Sequence, residues 1–403
     1  TFHNTNTLIF TTMATQTREQ AQTNVDRNAL GAGANLHVTA GVVSSSLKRT
    51  LRAPPPARDI KALLAKPWGQ VFAPSMCHYE TTERYDAPVG DDEDALEEGA
   101  AVWATATGGV MAYGPLQVSP AAGVLNYGQG LFEGMKAYRT PDGRIAIFRP
   151  EENAKRAQEG CRRLCMPPPP VKFFVDAVKR CVAANASHVP PHGMGTLYIR
   201  PMVLGTGAQL GLFPAPTYSL VIYASPVGSY FRGKQADPID LHVESRFHRA
   251  CSGGSGGVKA IGNYAPTLLP QKKAKKEAGK DNCLYLDSVE NRYIEEVGTC
   301  NIFVVAKDGT VRTPSLTGTI LSGITRMSII EILRDMGRTV VEERVSIDQL
   351  TDGEEAFVTG TAVGVCPIGS VTFNGVQHSF TGDRALTLAV TEELSGVQTG
   401  SIE

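Results

Sequence analysis

Nowhere does the 403-residue chain run to eighteen consecutive apolar residues, so no stretch of it is long and apolar enough for a membrane-spanning helix. Neither sign of charge is in excess: 39 basic residues stand against 40 acidic ones, a formal net charge of −1. Binding to nucleic acid or to a membrane surface needs a basic excess on some face, so neither is expected as a partner. The eight cysteines lack metal-like spacing, and no secretory pattern accompanies them. That usage predicts a reduced, intracellular compartment, with Cys161 and Cys165 on one helical face rather than in a disulfide. Nucleotide fingerprints are missing too. Lys259 follows a glycine-rich stretch, but Ala260 stands where a P-loop needs Ser or Thr, and no glycine motif opens a helix after a strand.

What is present divides the chain into unlike parts. Residues 1–56 are rich in Thr, Asn, Ala and Ser and run into "RAPPPAR" at 52–58. They read either as an organellar transit peptide or as an untargeted tail, since Glu19 and Asp26 dilute the arginines. Plastid, mitochondrion and cytoplasm all stay open. Order is expected from Asp59, and "DDEDALEE" near 91–98 reads as a solvated loop. "GRIAIF", "GTLYIRPMVLG" and "YSLVIYASPVG" read as strands. Two helices are expected: "RPEENAKRAQEGCRRL", acids in its first turn and basic residues in its last, and "VKFFVDAVKRCVAANA". A small α+β domain over 57–227, a loop over 228–238 and a large α+β domain over 239–403 follow. The second is expected to hold successive hairpin strands from Cys283 to Pro314 and a helix in "SGITRMSIIEILRDMG".

The chemistry centres on "SGGSGGVKAIGNY" (252–264), where four glycines in five residues precede one lysine. Each such glycine costs conformational entropy, so the stretch reads either as a flexible surface loop or as a backbone that passes close to something bulky with the lysine aimed at it. Lysine's other catalytic use is the Schiff base with a carbonyl cofactor or substrate, against the alternative of an ordinary surface lysine. A pyridoxal phosphate site then needs a phosphate cradle, a carboxylate at the ring nitrogen, a donor to the ring hydroxyl and a pocket for the substrate carboxylate. "LSGITRMS" offers free N–H groups at Ile324 and Thr325. In "YIEEVGTCNIF", Glu295 and Glu296 would alternate faces on a strand, and an inward glutamate needs a cationic partner.

"LNYGQGLFEGMKAYR" (125–139), "IFRPEENAKR" (147–156), "LYIRP" (197–201), the lysine stretch, "EEVGTCNIF" and "GTAVGVCPIGS" occur in an order that resembles branched-chain-amino-acid aminotransferases, most of all plant-type members. The resemblance covers about 57–395 and implies a two-domain α+β protein of fold type IV, akin to D-amino-acid aminotransferase. Its site would lie between the domains, in a homodimer. It implies pyridoxal 5′-phosphate bound to Lys259, which also moves the substrate proton. Glu296 would face the ring nitrogen, with Glu295 turned to solvent, and Tyr264 the ring hydroxyl. Arg156, Ile324, Thr325 and Thr361 would hold the phosphate. Tyr127, Phe132, Tyr198, Arg200 and Phe72 would line the substrate pocket, and Thr299 and the backbone at Ala362 would take the α-carboxylate. The implied reaction is ping-pong transamination of L-Leu, L-Ile or L-Val with 2-oxoglutarate. A D-amino-acid transaminase or an aminodeoxychorismate lyase on the same scaffold is the alternative, and a non-catalytic pyridoxal phosphate carrier a third. Val363 stands where animal-type members have the first cysteine of a Cys-x-x-Cys pair, so no such disulfide with Cys366 is expected.

Overall fold

Residues 59–88, 92–228 and 237–402 are described by the computed structural model. Helix α1 (Ile60–Leu64) leads into strand β1 (Ser75–Glu80), helix α2 (Asp92–Ala104), strand β2 (Thr107–Ala112) and helix α3 (Gly123–Tyr127). Strands β3 (Gly130–Phe132), β4 (Met135–Arg139) and β5 (Ile145–Ile147) precede helices α4 (Pro150–Arg163) and α5 (Val171–Ala184). Strands β6 (Thr196–Gly205) and β7 (Tyr218–Val227) complete the first half. Among the described residues these seven strands make one antiparallel sheet in the order β2-β1-β7-β6-β4-β5, with β3 also on β6.

Helix α4 shows how local chemistry aims a side chain at the site. Pro150 occupies its first turn with Glu151 and Glu152, and Arg162 and Arg163 close its last, matching the helix dipole. Asn153, Ala154, Arg156, Ala157, Gly160 and Cys161 form its buried stripe. Cys165 lies beyond the helix at φ 50° and is exposed, so it does not share the face of Cys161. Helix α5 packs Phe174 and Val178 onto Leu197, Ile199, Leu220 and Ile222 of the sheet, all buried. The acidic run is not a loop. It opens α2, where Ala95, Gly99, Val102 and Trp103 turn inward while Asp94, Glu97 and Glu98 face out. The apolar period simply continues past the acids, and Trp103 Nε1 donates to the Pro167 carbonyl at 2.8 Å.

The second half holds strand β8 (Ile239–Glu244), helix α6 (Leu268–Glu277), strands β9 (Asn282–Leu286), β10 (Ile294–Val297), β11 (Asn301–Val305) and β12 (Val311–Pro314), then helix α7 (Ile324–Asp335). Strand β13 (Val340–Glu343), helix α8 (Ile347–Thr351), strands β14 (Glu355–Gly360), β15 (Gly364–Phe373) and β16 (Val376–Ser379) and helix α9 (Ala385–Thr399) follow. The sheet order is β10-β9-β8-β15-β14-β11-β12-β13, with β16 on β15. Apolar side chains cover both its faces. Ile302, Val304 and Val358 belong to one cluster, while Phe303 and Phe357 pack with Ile329, Leu333 and Leu394 of α7 and α9 in another. That explains why "NIFVV" is buried at every position instead of alternating. The expected tail (1–56) and most of the expected 228–238 loop lie outside the described residues.

Candidate active site

The glycine run places the lysine without lining the cavity itself. Gly253 has φ 75°, a left-handed conformation that favours glycine. Gly256 packs so closely that a Cβ would stand 2.5 Å from the Thr319 carbonyl oxygen and 2.4 Å from the Ala250 Cβ. The tight passage therefore runs against the 318–319 backbone. Asn263 staples the turn: its Nδ2 donates to the carbonyls of Ser255 (2.6 Å) and Val258 (2.9 Å), and Ser255 Oγ donates to its Oδ1 (2.7 Å). On the other side Phe132 N–H donates to the Lys259 carbonyl at 3.2 Å, and Leu131 bridges Ala260. The lysine segment is thus pinned to the first sheet.

Lys259 opens on a cavity of about 390 Å³ bounded by both halves of the molecule. Of the candidate residues, Phe132, Arg156, Tyr198, Arg200, Lys259, Tyr264, Thr299, Ile324, Thr325, Thr361 and Ala362 line it. Lys259 Nζ donates to Tyr264 Oη at 3.2 Å. Burial first, and then Arg156, lower the pKa of the lysine to about 8, while burial raises that of Tyr264 to about 12. Arg156 donates through Nε and Nη2 to Glu133 (2.9 and 2.6 Å) and through Nη1 to the Ser322 carbonyl (2.7 Å), leaving two of its five N–H groups free for a ligand.

Glu296 stands directly behind the wall. Its Oε1 accepts from Asn301 Nδ2 at 3.2 Å, and its Oε2 lies 2.5 Å from Arg249 Nη1. Burial outweighs Arg249 and Lys259 and lifts its pKa to about 7. Arg249 is the cationic partner an inward glutamate requires, and it also donates to the Thr319 carbonyl at 3.0 Å. Glu295 corrects the expectation. It is buried, not turned to solvent, and its Oε1 accepts from Thr319 Oγ1 at 2.6 Å. A register shift between Ile294 and Val297 breaks the alternation of faces. Besides Glu296, two candidates lie outside the cavity wall. Phe72 is 42% exposed and stacks on Tyr113 at 4.9 Å, in a separate aromatic cluster with Tyr223. Tyr127 is 39% exposed at the end of α3, its Oη accepting from the Gly211 N–H at 2.8 Å.

Several site residues were not singled out from sequence. Trp68 lines the cavity edge-on to Tyr198, and Asn301 and Thr359 line it as well. Glu133, with no exposed surface, was findable as the acid in the same motif as Phe132. Arg249 had a weaker signal, a lone basic residue just before the glycine run. Pyridoxal phosphate fits this donor set. The hydroxyl of Thr359, fully buried, and the Nε of Arg200 have no protein partner and lie in cavity-lining residues. Gly323, which lines the cavity ahead of α7, packs so closely on Asn301 that a Cβ would fall 2.1 Å from its Oδ1, so glycine lets the turn and Asn301 share the wall. The first-turn N–H groups of α7, which lack intrahelical acceptors, open on the same space at Ile324 and Thr325.

Residues 130–371 match the family Amino-transferase class IV. Branched-chain-amino-acid aminotransferase 5, chloroplastic, of Arabidopsis thaliana is 54% identical over 276 residues, which are 68% of this chain and 66% of that relative. The chain therefore spans just under two thirds of that relative's length. Branched-chain amino acid aminotransferase 2, chloroplastic, of Humulus lupulus is 53% identical over 298 residues, 73% of this chain and 72% of the relative. The crystal structure of the Escherichia coli branched-chain amino acid aminotransferase superposes with a TM-score of 0.65 at 28% identity, covering 73% of this chain and 93% of that one. Its α+β architecture is that of fold type IV. With the match running from Gly130 through Lys259 and Glu296 to Val371, the chain belongs to the class IV aminotransferases and, within them, to the branched-chain-amino-acid aminotransferases.

Proposed function

We propose that the protein transfers the amino group of L-Leu, L-Ile or L-Val to 2-oxoglutarate, in two half-reactions that share one pocket. Pyridoxal 5′-phosphate would be held on Lys259, with Arg156, Ile324, Thr325 and Thr361 at its phosphate, Tyr264 at its ring hydroxyl and Glu296 toward its ring nitrogen. When bound, that group supplies the electron sink for cleavage of a Cα–H bond. The protein supplies position and protons. A lysine with a pKa lowered to about 8 keeps a useful fraction of free amine near neutrality, so Lys259 can take and return a proton at the substrate Cα. Arg249 keeps Glu296 in place against the burial that favours its neutral form. Phe132, Tyr198 and Trp68 form an apolar wall, and burying a branched side chain there is worth roughly 1.5–3 kcal/mol.

The observation that carries this reading is Arg200. Its guanidinium lies 4.5 Å from the Phe132 ring centroid and donates to Tyr198 Oη at 3.1 Å, with its Nε unpartnered. One pocket thus offers aromatic surface to an apolar chain and a cation to the γ-carboxylate of glutamate. The test is an absorbance titration of the holoenzyme with L-Leu, D-Ala and aminodeoxychorismate, repeated on Lys259→Ala. L-Leu and L-glutamate should each change the cofactor spectrum, and Lys259→Ala should lose turnover by several orders of magnitude. A response to D-Ala alone would overturn the proposal. We further propose a homodimer and an organellar location, the latter supported by the chloroplastic names of the two plant relatives.

A further inference from the structure

Lys136 is a lysine that the proposed chemistry leaves without a task. It sits on β4, beside Tyr198 of β6 in the register of the sheet. Its ammonium reaches across to the second half and donates to the carbonyl of Ala362 at 3.0 Å, a contact between residues 226 apart in sequence. Among the described residues it forms no ion pair, and burial lowers its pKa to about 8. A charge held this way is poorly compensated, and a structural lysine would be better placed on a carboxylate.

Its acceptor is what gives the contact meaning. Thr361, Ala362 and Val363 form the turn between β14 and β15, and Thr361 and Ala362 line the site cavity. A second cavity, of about 320 Å³, lies behind the same turn and is bounded by Lys136, Ala362 and Val363. The turn is therefore a thin partition between two cavities, with Val363 packed in the apolar cluster of the second half and the Ala362 carbonyl held by Lys136. In a trans peptide the carbonyl and the following N–H point in opposite directions. Holding the Ala362 carbonyl from behind sets the plane of the whole Ala362–Val363 peptide.

We propose that Lys136 is a positioning residue, which holds the Thr361–Ala362 turn in the orientation that receives the substrate carboxylate. This rests on the transaminase reading for the carboxylate, though not for the hold on the turn, and two measurements separate them. In the holoenzyme, Lys136→Met should weaken binding of 4-methylpentanoate, a branched carboxylate with no amino or oxo group, by about tenfold or more. KM for L-Leu and for 2-oxoglutarate should rise together, with kcat changed far less, and Lys136→Arg should recover most of the loss. Amide hydrogen exchange in the 355–370 segment should quicken in Lys136→Met, while the 324–335 helix stays as protected as before. Unchanged exchange at 355–370, or unchanged 4-methylpentanoate binding in Lys136→Met, overturns the positioning role. Failure of L-Leu to react in the unaltered enzyme overturns the transaminase reading and leaves the exchange result standing.

Discussion

Lys259 shows at the scale of one residue how burial becomes reactivity. Its folded-state pKa, about 8, lies below the ordinary lysine value of 10.5, so the fold opposes its proton. The sign follows from linkage. The penalty is fully present below pH 8, where both states carry the charge, and it fades as pH rises toward 10.5 and the unfolded chain loses its proton too. The gap corresponds to an upper figure on the order of 3 kcal/mol. In cofactor-free protein, Lys259→Met should raise the melting temperature at pH 7, with the gain shrinking steadily between pH 8 and 10.5. A gain independent of pH would mean that the charge is solvated. The lysine and Tyr264 were legible from sequence because both sit in one short motif. The choice between Glu295 and Glu296 was legible only in part. Period-two alternation said only that one of the two would face inward, the family resemblance chose Glu296, and a bulge let its neighbour turn inward as well.

At the scale of an element, the glycine run and the loop at 318–319 act as one piece. The Thr319 carbonyl receives Arg249, its hydroxyl serves Glu295, and Gly256 lies flat against it. Gly256→Ala should therefore destabilise the protein by about 1–3 kcal/mol in denaturant unfolding, the usual effect of overpacking. It should also weaken pyridoxal phosphate binding, because a displaced Thr319 releases Arg249 from Glu296. Full cofactor affinity in that variant would show that the two contacts are independent. Sequence periodicity located helices α4, α5 and α7 and strands β5, β6, β7 and β9 to β12, whose apolar patterns are continuous, but not β1, β2, β4 or α9. It failed at α2, where a cluster of acids hid a helical period that only Val102 and Trp103, further on, complete. Against which backbone the glycines would pack was not legible, because Thr319 lies more than sixty residues away.

In the whole molecule, the buried cores of the two sheets are separate, and the hydrogen bonds that join them near the cavity accompany an aromatic contact of Phe132 with Tyr264 at 4.7 Å. Phe132 N–H meets the Lys259 carbonyl, Arg156 meets the Ser322 carbonyl, and Arg149 Nη1 donates to Ser328 Oγ at 2.8 Å. We propose that the halves are two domains, with the cofactor as part of the bond between them. Calorimetry should then show one unfolding transition for the holoenzyme. Removing pyridoxal phosphate should lower the first melting temperature by several degrees and split the transition in two. A single, equally cooperative transition after removal would argue against two domains.

The cavity is walled in two materials. At Gly323–Thr325 and Gly360–Ala362 the wall offers main-chain groups, which every residue supplies alike, and on the proposed reading these face the anionic parts of cofactor and substrate. At Trp68, Phe132, Tyr198 and Arg200 the wall is side chain. Substitution can reshape the second wall freely but reaches the first only through the fold. Descendants of this sequence can therefore drift in which side chain they accept while keeping the grip on the parts common to all substrates.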